Sequence, residues 1–188
     1  MAGKDDYGRF DRFIHWLMAI NIGLTLVFAR GMSTLPDEHR VIEYGDHGMS
    51  VTTIAICLLI RIAWRLKTGF PALPANMGRI ARLGAKAMHY GLYGVLLAQI
   101  TVGVFLASTT ELEFVAKGYN INYSSFRLAP PELHDTLLSF HIGLYWTIIA
   151  LLGLHVLAAL KHHFVDRDAV LLRMLPFTAN ARARRAAS

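Results

Sequence analysis

The sequence is poor in cysteine, in charge and in acids. Its one cysteine, Cys57, in 188 residues excludes an intrachain disulfide, a Cys-rich zinc or iron–sulfur site and the C-x-x-C-H attachment of a c-type haem. Charged residues make up 17% of the chain, below the roughly 25% of ordinary soluble domains. Hydrophobic residues make up 54%, and the mean hydropathy is +0.40. No aspartate or glutamate lies deep in any long apolar run. There is no internal repeat, and the only biased segment is the short ARARRAAS end. These features point to one compact membrane domain spanning 1–188.

Four stretches are apolar enough to cross a bilayer core of about 30 Å, at about 13–32, 47–66, 88–110 and 136–160. The first follows a polar lead that carries acids as well as bases and is not followed by a clear A-x-A site, so it reads as a span rather than a signal peptide. A polar loop is expected over 33–46, a basic Gly/Pro-broken loop over 67–85 and a long loop over 111–135, ending at Pro130–Pro131. The tail, 161–188, is basic. The fold class expected is an all-α membrane protein, a four-transmembrane-helix bundle.

Four spans put both termini on one side. That side carries fifteen Lys and Arg against five acids; the other carries Arg30, Arg40, Lys117 and Arg127 against eight acids. The positive-inside rule then makes both termini cytoplasmic. The net charge of +6 becomes a topology signal, and no nucleic-acid partner is needed to account for it.

Nine histidines are present, five of them in or at the edge of spans: His15, His47, His89, His141 and His155. A lone membrane histidine usually bonds a neighbouring helix, because polar groups at that depth need partners. Depth sorts four of them further. His141 and His155 are 14 residues apart on one helix face, about 21 Å along the axis. Span direction puts His47 and His141 at the outer level and His15 and His155 at the cytoplasmic level. Two bis-imidazole sites at two depths suit two b-type haems stacked across the membrane, held in the core of a helical bundle. Zinc would want three or four ligands converging at one depth.

Arg61 and Arg65 follow His47 by 14 and 18 residues, on its face, and either pair with propionates of the cytoplasmic haem or snorkel at a helix end. His134, seven residues before His141, either competes as the outer ligand or sits at the interface. His89 either faces the cytoplasmic haem edge or bonds within the bundle. His39 reads as a solvated loop residue. His162 and His163, at the cytoplasmic headgroup level, either serve a quinone pocket, where they could supply protons, or are solvated.

The runs RFDRFIHWLMA, DHGMS with RIAWRLK, and LHVLAALKHHFVDRDAVLLRMLP resemble the bacterial cytochrome b561 family over about residues 7–177. The resemblance implies a four-helix dihaem cytochrome of the bacterial inner (plasma) membrane, with haem b on His15, His47, His141 and His155 and electron transfer as its activity. Some members are similar to superoxide oxidases, which pass electrons from superoxide on the outer face to ubiquinone. The expected function is therefore an oxidoreductase moving electrons between an outer-face donor, superoxide among the choices, and the quinone pool. The alternative is a membrane-anchor cytochrome b subunit of a larger redox complex such as a hydrogenase or dehydrogenase.

Overall fold

A computed structural model describes residues 7–69 and 77–175. Five α-helices occur among these residues: α1 (Arg9–Phe28), α2 (Asp37–Thr68), α3 (Arg79–Ala107), α4 (His134–Phe164) and the short α5 (Val170–Met174). A two-stranded antiparallel hairpin, β1 (Val115–Ala116) and β2 (Ile121–Asn122), lies between α3 and α4. The first four helical stretches are each long and apolar enough to cross a membrane.

The helices overrun the apolar stretches, because helical signals continue into segments that hydropathy alone reads as loops. Residues 37–46 belong to α2: Pro36 precedes its first turn, and Asp37 and Glu38 sit there, where the helix dipole favours negative charge. At its far end Arg65 and Lys67 occupy the last turn, and Gly69 closes it with φ +71°, a conformation open to glycine. At 1.5 Å per residue, the 32 residues of α2 extend about 48 Å, well past the hydrocarbon core. Likewise 79–85 form the first turns of α3.

The most extensive packing is α3 on α4 and α1 on α2. Ile14, Met18 and Ile22 of α1 recur every fourth residue and meet Ile54, Cys57 and Leu58 of α2, Val95 and Leu96 of α3 and Ile148 of α4. This apolar cluster lies between the two histidine levels. Polar bonds pin the helices: the Asn21 amide donates to Ser50 O at 3.2 Å and the Tyr145 hydroxyl to Leu26 O at 3.1 Å, the kind of interhelical bond apolar bundles use. Most of α4 remains exposed, with Ile148 its buried residue, and so presents an apolar surface that suits lipid.

The 111–135 segment is built rather than open. Its hairpin lies on the start of α2: Lys117 N donates to Gly45 O at 3.1 Å, and Lys117 Nζ meets Asp46 Oδ1 at 2.8 Å. Gly48 makes this approach possible, because a Cβ there would lie 2.8 Å from the Phe114 ring and 3.0 Å from Ala116 Cα.

Candidate functional site

Helix periodicity brings the four spanning histidines into two pairs. His47 of α2 and His141 of α4 have ring centroids 6.4 Å apart, with planes at 76°. His15 of α1 and His155 of α4 have centroids 6.3 Å apart at 61°. An imidazole nitrogen lies about 2 Å from a metal it ligates and roughly 1.1 Å from its own centroid, so two rings on opposite sides of one metal have centroids about 6 Å apart. Both pairs have that spacing.

The outer pair borders a cavity of about 330 Å³, mostly apolar, lined among others by Ile22, Tyr44, Leu96, Gln99 and Trp146. Phe114 roofs it. Its ring stacks on Tyr44 at 4.8 Å and 12°, meets Tyr123 edge-on at 5.8 Å and lies 6.5 Å from His47. The Tyr123 and Thr52 hydroxyls are 2.8 Å apart and those of Tyr119 and Thr53 2.9 Å, which fastens the roof to α2. One nitrogen of His141, Nε2, is 3.0 Å from the Gln99 amide. The other, Nδ1, is buried without a hydrogen-bond partner among the described residues. A ligating imidazole characteristically has one nitrogen held by the protein and one left for metal. An apolar cavity flanked by this ring and that of His47 fits a haem.

The inner level is crowded and charged. His89 joins it, with its ring 5.9 Å from His155, while its Nδ1 donates to Ala85 O at 2.7 Å. His89 thus both bonds within its helix and faces the inner pair. Among the described residues these three histidines do not bring their nitrogens together in the tight cluster that a shared zinc would need. Arg61 is buried and donates from Nε to the Tyr93 hydroxyl at 2.9 Å. Its terminal nitrogens make no hydrogen bond among the described residues. Arg65 is buried too, but it pairs with Asp11 at 2.6 Å, donates to Gly69 O and lies 5.1 Å from the Tyr7 ring. Arg65 thus finds its carboxylate on Asp11 of α1. Burial raises the Tyr7 hydroxyl above its usual range, against the opposing pull of Arg65.

The tail folds back beneath α1. Trp16 Nε1 donates to Met174 O at 2.8 Å and Arg12 to Arg173 O at 3.5 Å. His162 is largely enclosed, its Nδ1 2.7 Å from Asp168 Oδ2 and 3.1 Å from Asp166 Oδ2. Lys161 holds Asp166 at 2.7 Å and pulls its carboxyl below the usual range. His163 packs edge-on against Phe164 at 4.8 Å. The cavity described borders His47, and the expected quinone pocket at His162 and His163 rests on the residues alone. His134 Nδ1 lies 2.8 Å from the Thr109 hydroxyl, away from the 47–141 pair. His39 is exposed in the first turn of α2, beside Glu38.

Sequence reasoning missed Asp11, Gln99 and the roof. Asp11, one turn before His15, and Gln99, an amide inside an apolar span, both carried a usable signal. The roof carried none, because aromatic residues in a loop do not reveal where they fold.

A family model described as prokaryotic cytochrome b561 matches residues 6–177. The chain is 31% identical over 179 residues to cytochrome b561 homolog 2 of Escherichia coli (strain K12), covering 90% of each chain. It is 28% identical over 166 residues to a probable superoxide oxidase, CybB, of Yersinia pestis, covering 87% of this chain and 92% of that one. It is 23% identical over 173 residues to cytochrome b561 homolog 1 of Escherichia coli (strain K12), covering 87% and 93%.

Proposed function

This chain belongs to the prokaryotic cytochrome b561 family, and from that premise we propose that it links an electron donor on the outer face of the membrane to the quinone pool. The coarse part follows from the family: it is a multi-pass bacterial membrane protein and a b-type cytochrome that transfers electrons. The finer part is our reading. His47 and His141 hold one haem b and His15 and His155 a second, with both termini cytoplasmic. The observation that carries it is the pair of ring separations, 6.4 and 6.3 Å, at opposite ends of one apolar core.

Haem, when bound, supplies reversible one-electron transfer, and two imidazoles on one iron disfavour reaction of substrate at the metal. The chain's residues do the rest. Phe114 and its aromatic neighbours shield the outer cavity from water. Arg61 places a buried positive charge at the inner level, which stabilises added negative charge there and biases electrons inward. His162 Nδ1, held by Asp168 and Asp166, is a site for a proton bound for quinone at the cytoplasmic surface, with His163 beside it.

The probable superoxide oxidase among the relatives suggests the donor. Two superoxide ions would each lose one electron to become dioxygen; one ubiquinone would take the two electrons and two protons from the cytoplasmic side to become quinol. The test is stopped-flow consumption of superoxide by the purified protein with ubiquinone present. The expected result is quinone-dependent consumption faster than spontaneous dismutation. An unchanged rate would remove superoxide as donor. The outer face carries more acids than bases, which favours a second reading, a cytochrome b anchor for a larger redox complex. Co-purification of a catalytic subunit, with no superoxide activity, would select it.

A further inference from the structure

We propose that Gln99 and Gly103, one turn apart on α3, fix the plane of the His141 imidazole and thereby tune the outer haem. The inference rests on the reading of His47 and His141 as axial ligands. Three observations carry it.

First, Gln99 is an amide inside an apolar span, where an unpaired polar group is costly. Its Nε2 lies 3.0 Å from His141 Nε2, while its Oε1 is buried with no partner among the described residues. Turning the amide over lets Oε1 accept the imidazole N–H at the same place, since the two amide orientations are equivalent in shape. Second, the ring runs along α3 from Gln99 to Gly103. A Cβ at position 103 would lie 3.0 Å from His141 Cε1 and 3.4 Å from Nδ1. Only glycine leaves that edge of the ring its room. A hydrogen bond at one edge and a missing side chain at the other therefore hold the ring in one orientation. Third, that orientation sets the ring at 76° to His47, close to perpendicular. The relative angle of two axial imidazoles governs the splitting of the iron orbitals. Near-perpendicular rings give a low-spin ferric signal at distinctly lower field than parallel rings do.

Gln99 and Gly103 are positioning residues. They act through His141, as the outer partners of metal-bound histidines do.

The experiment compares electron paramagnetic resonance spectra of oxidised wild-type protein with Gln99→Met, Gln99→Glu and Gly103→Ala, alongside haem content. Met keeps the length of the side chain without a hydrogen-bonding group; Glu keeps an acceptor. The expected result is a shift of one low-spin signal to higher field in Gln99→Met and Gly103→Ala, with the other signal unmoved. Gln99→Glu should restore the wild-type position. Selective loss of the outer haem from Gln99→Met also supports the proposal, because losing such a partner weakens binding by about 10–100-fold. Unchanged spectra in both variants overturn it. So does a parallel shift of both signals, which marks a general loosening of the bundle. Failure of the underlying reading looks different: a His141→Ala protein would then retain both haems.

Discussion

The two histidine pairs have nearly the same separation and opposite surroundings. The outer pair sits beside an apolar cavity under a roof of aromatic rings, with one amide as its polar neighbour. The inner pair has a third histidine at its side and two buried arginines at its level, one of them neutralised by Asp11. The same paired-histidine geometry can therefore be set in two electrostatic environments within one bundle. Packing maintains the outer level; ion pairing maintains the inner one. The levers on a haem's potential are ligation, burial and nearby charge, and only the last two differ here. On the proposed reading, Arg61 would make the inner level more favourable to an added electron, and that asymmetry would give the bundle a direction.

The contrast can be broken most completely at the ligands. His141→Ala and His47→Ala should each remove the outer haem and leave the inner; His15→Ala and His155→Ala should do the reverse. Haem content and the α-band of purified variants measure this. Next in size is the inner ion pair. Arg65→Ala leaves the Asp11 carboxylate enclosed without its partner, which costs about 3–5 kcal/mol for a buried pair. Thermal unfolding in detergent should show the loss, and Asp11→Asn should cost less. The outer counterpart is Gly48→Ala. Its new Cβ meets the Phe114 ring and the Ala116 backbone, and overpacking of this kind costs about 1–3 kcal/mol. The outer haem should become easier to extract, with the inner haem's affinity unchanged; equal loosening of both would show that the roof does not belong to the outer level alone.

The smallest effect lies at the tail. Lys161 depresses the Asp166 carboxyl in the folded chain. Its contribution is therefore present above the ordinary carboxylate range and fades as pH falls through the depressed value. Protection factors of the amides over 161–170, with the intrinsic slowing of exchange in acid divided out, should fall as pH drops, modestly because Asp166 is exposed, and a Lys161→Ala variant should lose that pH dependence.

How much of this was legible beforehand depends on how local each signal is. The spans and the two histidine levels follow from hydropathy and a 3.6-residue period, properties of a single helix, and so could be read directly. His89 and Arg65 were less legible because their roles depend on which neighbour arrives: Arg65 finds Asp11 on α1, a pairing that helix period alone does not give. The helical starts at 37–46 and 79–85 were hidden because polar residues at the bilayer surface are helical and loop-like at once; Pro36 followed by two acids was the available clue. The roof depended on a contact between Phe114 and Gly48, 66 residues apart, and the glycine's purpose appears only once the hairpin rests on it.

The most direct test of two haems at two levels is haem quantification on the purified protein and its ligand variants, with the redox titration of each. The account predicts two haems b per wild-type chain and two titrating components, the higher-potential one lost with His15 and the lower-potential one lost with His141. One haem per chain, or the same component lost from both variants, would contradict it.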